Sequence, residues 1–190
     1  MPVVVNSSTP AQEKDEWRTD PVLFALLDEE FDFHIDVAAT EENHLCPLYY
    51  DKEDDALARP WVIPNRIVHR VFCNPPFSRA GDFLLKGREE AKKGAICVFL
   101  VRADGIETKW WRDGVLSLED EQNTRIYSPA YQIRFLSPRV NYLRPDGTKA
   151  SGVTFPSAII VMGLYDPDVY WWNWKEAALT WKKTRKMTGK

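Results

Sequence analysis

Apolar positions along this chain change period several times, from helical to alternating to uninterrupted, and each change marks an element. Val22, Leu23, Leu26 and Leu27 recur at helical spacing, and Thr19 ahead of them can cap a helix from Asp20 to about Glu30. Phe33-His34-Ile35-Asp36-Val37 then alternates like a short strand and delivers Asp36 near its end. A weaker second strand is expected around Leu48-Tyr49-Tyr50. Ile67 to Cys73 is rich in β-branched and aromatic residues and stops at two prolines, so it reads as a strand ending in a stiff loop. A helix from about Arg79 to Lys92 follows. Next comes Ala95 to Val101 with no polar break, the pattern of a strand covered on both faces in a largely parallel sheet. Beyond it, Gln132 to Leu136, Val140 to Leu143 and Ala158 to Met162 read as strands, interrupted by Pro138 and by the turn Pro145-Asp146-Gly147. Trp174, Ala177, Ala178 and Trp181 have the spacing of a terminal amphipathic helix, and the tail aromatics, Trp171 and Trp172 included, are expected to pack on the core. Helix and strand alternate throughout, which predicts an α/β fold, and no repeat or linker divides residues 1–190, which predicts one domain.

Composition fits that picture. The 190 residues are 44% hydrophobic and 28% charged, enough for a substantial core. No apolar run approaches the ~20 residues of a membrane span, and Met1 to Ser8 lacks the basic start and long apolar stretch of a secretory signal. Cys46, Cys73 and Cys97 have no close pairing, which argues against a disulfide framework and against a zinc site, so a reducing cytoplasm is expected. Charge is polarised along the chain: residues 1–60 carry 15 Asp and Glu against 4 Lys and Arg, a balance of −11, and residues 61–190 carry 13 against 21, a balance of +8. An acidic half suits a cationic ligand and a basic half suits phosphates, although two oppositely charged solvated faces have the same signature.

The sharpest chemical signal is Cys73-Asn74-Pro75-Pro76-Phe77-Ser78, at the end of the Ile67–Cys73 run. The Asn74 side-chain oxygen and the Pro75 carbonyl can each accept a hydrogen bond from one planar amine, leaving its lone pair aimed at an electrophile. Two prolines fix φ and cannot donate, and Phe77 offers a ring on which an extruded base can stack. The same residues also suit an ordinary strand-terminating turn. For Cys73 and His69, inside the run, a core role is expected rather than a chemical one.

With these blocks in order, residues Trp17 to Met162 resemble the phage-type DNA adenine-N6 methyltransferases, which use S-adenosylmethionine. Trp17-Arg18-Thr19-Asp20-Pro21 is similar to the family's opening segment, and Phe33 to Ala39 with Asn43 and Cys46 to its Leu-Asp-Val-Ala-Ala block. Glu53-Asp54-Asp55-Ala56-Leu57 with Trp61 is similar to its acidic block, and Cys73 to Ser78 to its catalytic loop. Phe99 to Arg102, Thr108 to Trp111 and Phe155 to Ala158 continue the resemblance. It implies a Rossmann-like class I methyltransferase fold, a mostly parallel sheet flanked by helices. It also implies a catalytic box of Asn74, Pro75, Pro76 and Phe77, with S-adenosylmethionine bound by Thr19, Asp36, Ala38, Asn43, Asp54 and Asp55, and no metal. Asp36 and the Ala38-Ala39 turn would lie by its methionine and ribose parts, Asp55 by its adenine amine, and Thr19 at its methionine end. The partner implied is double-stranded DNA, and the setting a bacterial cytoplasm entered by a phage or prophage, with a monomer or weak dimer expected.

The chain departs from the pattern in three places. Val37-Ala38-Ala39 stands where many methyltransferases have a glycine-rich turn, Phe77 replaces a tyrosine, and Pro138 precedes Arg139 where the family has glycine. Only 37 residues lie between Asp36 and Asn74, too few for a target-recognition insertion. DNA contact is therefore expected from residues 102–150, with Lys109, Arg112, Arg125, Arg134, Arg139 and Arg144, and from residues 170–190, with Lys182, Lys183, Arg185 and Lys186. Three other readings share some of these residues. One is a methyltransferase for another planar amine, RNA guanine or protein glutamine; another is a non-catalytic DNA-binding phage protein of the same fold. The third is a nuclease using Glu53, Asp54 and Asp55.

Overall fold

The computed structural model describes residues 11–62, 69–116, 131–150, 153–163 and 167–188. A short helix α1 (Ala11–Asp15) leads to α2 (Pro21–Phe31), β1 (Ile35–Asp36), β2 (Leu48–Tyr49), β3 (His69–Cys73), α3 (Ala80–Lys92) and β4 (Ala95–Arg102). The turn α4 (Lys109–Trp111) runs into a π-helical stretch, Arg112–Leu116; β5 (Tyr131–Ser137), β6 (Ser157–Met162), β7 (Asp168–Asn173) and α5 (Trp174–Thr188) complete the order. The strands form a seven-stranded sheet in the order β2-β1-β3-β4-β6-β5-β7. Among the described strands only β6 runs against its neighbours, pairing antiparallel with β4 and with β5. The mostly parallel α/β sheet expected from the alternation is therefore present.

Both sheet faces are covered. In β4, Cys97, Phe99 and Val101 pack with Phe83 and Leu84 of α3 and with Trp61 and Trp111. The alternate residues Val98 and Leu100 pack on the other side with Leu23 and Leu27 of α2 and Trp174 of α5. Two-sided burial explains why this strand carries no polar position before Arg102 at its end. Helix α3 approaches the sheet so closely that a Cβ on Gly87 would sit 2.3 Å from the Phe99 ring.

Several boundaries differ from expectation. Asp20, not Thr19, caps α2: its carboxylate accepts from the Val22 N–H at 2.8 Å and the Leu23 N–H at 3.4 Å, and Pro21 opens the helix. Strand β1 has only two residues, with Val37 N–H still donating to the Phe72 carbonyl at 3.1 Å. Ile67 and Val68 lie outside the described residues. Val140–Leu143 is not a strand, since the chain leaves the sheet at Pro138 and only Leu143 makes isolated bridges, to Arg18 and Lys149. The Asp146-Gly147 turn forms, with Gly147 N–H donating to the Arg144 carbonyl at 2.9 Å. Strand β7 had no counterpart among the expected elements.

Of the terminal tryptophans, Trp174 is buried and its indole N–H donates to the Pro138 carbonyl at 2.7 Å. Trp171, expected in the core, is 74% exposed because alternation on the edge strand β7 turns it outward. Trp172 and Trp181 are half-buried, beside the Arg134 and Arg185 guanidinium groups.

Candidate active site

Chain order and strand order reverse at β1. From β1 the chain passes outward to β2 and then returns to β3 on the other side of β1; open α/β sheets place their ligand crevice at such a reversal, which here is beyond the carboxyl ends of β1 and β3. Asp36 ends β1 and is level with Phe72 of β3, two residues before Asn74. Residues 38–45 follow β1, and Asp54 and Asp55 follow β2, which is parallel to β1. The candidate residues from three separate sequence blocks thus meet at one end of the sheet.

Asn74 is held by the N-terminal segment. Its side-chain N–H donates to the Trp17 carbonyl at 2.9 Å. A carbonyl only accepts, so this bond fixes which way the amide faces. The other side-chain atom, Asn74 Oδ1, is buried and has no hydrogen-bond partner. Asp15 secures the far side of the box, accepting from the Ser78 backbone N–H at 2.9 Å and from its hydroxyl at 2.6 Å. Pro75 is buried, and Pro76 opens a single 3-10 turn, Phe77–Arg79, which leads into α3.

Phe77 is half-buried rather than free. Its ring lies edge-on to Trp17, Tyr142 and Phe155, with centroids 6.1, 5.8 and 5.3 Å away. The Arg102 guanidinium sits 5.5 Å from the Phe77 ring centre and 4.5 Å from that of Phe155, anchored by Asp104. A small pocket beside the box is lined by Pro75, Phe77, Ala80, Val101, Arg102 and Trp110. The packing roles of Asp15, Arg102 and Tyr142, and of the Trp17 carbonyl and indole, are not legible in the sequence, where residues 102–150 suggested only DNA contact. Backbone carbonyls and ring contacts between distant segments leave no local pattern to find.

Asp36 is 4% exposed, and its two oxygens accept from the Ala38 and Leu45 N–H groups, both at 3.3 Å. Burial pushes its pKa up to about 6, against the pull of those two bonds and of nearby His44. Asn43 caps the turn, its side-chain oxygen accepting from Thr40 N–H at 2.7 Å. Thr19 is buried next to Arg18, whose backbone bridges to Leu143. The acidic block is organised as a turn: Asp54 pairs with Arg59 at 3.1 Å and accepts from Asp51 N–H at 3.3 Å. Asp55 adopts φ 52° with its side chain exposed. Trp61 pins the turn from below, donating from its indole to the Ala56 carbonyl at 2.8 Å. Among the described residues no group of three His, Cys, Asp or Glu is placed to hold a metal ion.

Cys73 and His69 are buried, and burial drives the Cys73 thiol well above its ordinary pKa, which deprives it of nucleophilic character. Arg134 is not available to DNA: it is buried in a two-pronged pair with Glu30 at 2.6 and 2.5 Å and lies against Phe31, Tyr170 and Trp172. Arg125 lies outside the described residues. Nor does the basic tail reach the crevice. Strand β7 ends level with Ser137 at the crevice end, α5 starts there and runs back, and Arg185 meets Glu29 near the end of α2 at 3.5 Å. No helix among the described residues is long and apolar enough to cross a membrane.

No solved structure matches this chain. A curated relative, the DNA N-6-adenine-methyltransferase of Escherichia phage T1, is 32% identical over 108 residues, covering 56% of this chain and 43% of the relative. The aligned part thus spans less than half of the relative's length. The family model for DNA N-6-adenine-methyltransferase (Dam) matches residues 6–163, and with a match over most of its length the chain belongs to that family.

Proposed function

We propose that the protein moves a methyl group from S-adenosylmethionine to the exocyclic N6 amine of adenine in DNA, on a Rossmann-like class I methyltransferase fold. The carrying observation is the buried, unpartnered Oδ1 of Asn74, held in one orientation by the Trp17 carbonyl. A buried acceptor without a donor is costly, and an incoming amine supplies the donor.

The crevice suits the cofactor's charge. Asp36 is a carboxylate that burial disfavours, and a cation bound beside it would offset that cost. Asp36, Ala38 and Asn43 would hold the methionine and ribose parts, Asp54 and Asp55 the adenine end, and Thr19 would close the methionine end. Bound there, S-adenosylmethionine supplies an electrophilic methyl carbon on a sulfonium. Asn74 Oδ1 and the Pro75 carbonyl accept the two amine hydrogens, and the rigid prolines keep both acceptors in place. The amine lone pair is left free for one direct displacement, in which the N–C bond would form as the methyl carbon–sulfur bond breaks, the sulfur leaving as a neutral thioether and the surplus amine proton passing to solvent, with no covalent bond to the protein. Orientation of this kind is worth on the order of 7 to 11 kcal/mol.

DNA would approach the crevice end, where Lys109, Arg112, Arg139, Arg144 and Lys149 follow β4 and β5. Asn74→Ala tests the reading. Methyl transfer from labelled cofactor to DNA should fall on the order of 100-fold or more with the fold intact by circular dichroism. Near wild-type transfer by the variant would sink the mechanism, and labelling of RNA or protein in preference to DNA would redirect the substrate.

A further inference from the structure

Two buried polar atoms without partners sit on residues that touch each other. One is Asn74 Oδ1, an acceptor; the other is the indole N–H of Trp17, a donor on a residue only 5% exposed. Trp17 and Asn74 are joined directly by the 2.9 Å bond from the Asn74 amide to the Trp17 carbonyl. The fold therefore brings a residue with a spare donor into contact with a residue that has a spare acceptor.

The ring contacts of Trp17 show which side of the crevice it serves. It is edge-on to Phe77 at 6.1 Å, tilted against Tyr142 at 5.7 Å and stacked on Phe155 at 6.0 Å. Phe77 belongs to the box, while Tyr142 and Phe155 come from the connection between β5 and β6, beyond β4. The acidic cofactor-side residues, Asp36 to Asp55, come from β1, β2 and the loops that follow them, on the opposite side of β3. The indole thus lies on the side of the Asn-Pro-Pro-Phe box, across β3 from the acidic residues.

We propose that the Trp17 indole N–H and the Asn74 side-chain oxygen read the target base as a pair, Trp17 donating to the ring nitrogen beside the amine that Asn74 accepts. This rests on the adenine-N6 reading above. Adenine offers an amine flanked by two acceptors, N1 and N7, so either edge satisfies both atoms at once. Thymine has no exocyclic amine, and guanine puts a carbonyl oxygen at the position of adenine's amine, so on that edge each faces Asn74 with another acceptor; the guanine N2 amine beside N3 keeps the pattern. Cytosine also carries an acceptor beside its amine and is not rejected by this pattern. Trp17 is thereby a specificity-determining residue.

The test uses the full chain and a DNA duplex containing a target adenine mapped by sequencing, alongside duplexes with 1-deazaadenine or 7-deazaadenine at that position. Single-turnover methyl transfer by wild type should fall on the order of 10-fold with one analogue, and which one tells whether N1 or N7 is read. Trp17→Phe should lose a similar factor on adenine and nothing further on that analogue, a non-additivity that a packing defect does not produce. If both proteins discriminate against the analogues equally, or wild type is indifferent to both, the proposal is overturned, and the indole N–H is assigned to the face of Phe77 instead. Should Trp17→Phe not fold, the wild-type comparison decides alone. Absence of transfer to unmodified adenine in any DNA would instead sink the underlying methyltransferase reading.

Discussion

Asp36 shows how a single buried side chain can work against stability. Its pKa is raised from 3.8 to about 6, so the folded protein binds a proton more tightly than the unfolded chain does. Between about pH 4 and pH 6 the folded state holds the extra proton, and stability from this group falls as pH rises through that window. Above it, the full penalty of a buried charge remains. Asp36→Asn keeps an acceptor for one of the Ala38 and Leu45 N–H groups and removes the charge. Chemical denaturation at pH 8 should show the variant more stable by on the order of 1 to 2 kcal/mol, with a flatter pH profile between 4 and 6. Calorimetry should show its affinity for S-adenosylmethionine at least ~10-fold weaker. The position of Asp36 at a strand end was legible from the alternation of residues 33–37. Its bond to Leu45, nine residues on, was not, since nothing local encodes where a loop returns.

At the scale of elements, α3 does two jobs. Phe83 and Leu84 seal one face of the sheet, and Glu90, with no exposed surface, reaches the loop that carries the acidic block. Glu90 accepts from the Trp61 N–H at 3.1 Å and the Val62 N–H at 3.2 Å and pairs with Lys86 at 3.0 Å and Lys93 at 2.9 Å. Glu90→Ala strands these donors, and urea unfolding should register a loss of about 3 to 5 kcal/mol. Periodicity revealed α2, α3 and β4 because their burial is regular. It missed β7, an edge strand whose Val169 and Trp171 are exposed, so that burial leaves no apolar-inward signature there. It also promoted Val140–Leu143, where Val140 and Tyr142 are buried beneath the loops instead of within the sheet.

Over the whole molecule, the acidic first third and basic remainder do not divide into one cofactor end and one DNA end. Arg134 is consumed in the fold, and α5 carries Lys182, Lys183 and Lys186 away from the crevice, toward the end marked by Glu29 and Arg185. Replacing Lys109, Arg112 and Arg139 together by alanine should weaken DNA binding and reduce the log–log salt slope by roughly 0.9 for each phosphate that is no longer neutralised. Alanine at Lys182, Lys183 and Lys186 should leave both nearly unchanged. Fluorescence anisotropy over a salt series separates the two triples, and a larger effect from the tail would reverse the proposed DNA path.

The sequence by itself determined the α/β alternation, the two-sided burial of β4 and the Asn-Pro-Pro-Phe box, because each depends on residues close together in the chain. Only the tertiary structure decided that Asn74 is oriented by Trp17, 57 residues earlier, and that Asp36 stands level with the box. It also decided that Arg134 and the basic tail are turned from the crevice. The reason is physical: local periodicity encodes which face of an element is buried, while pairing and strand order choose which buried faces and which spare hydrogen-bonding atoms come to share a site.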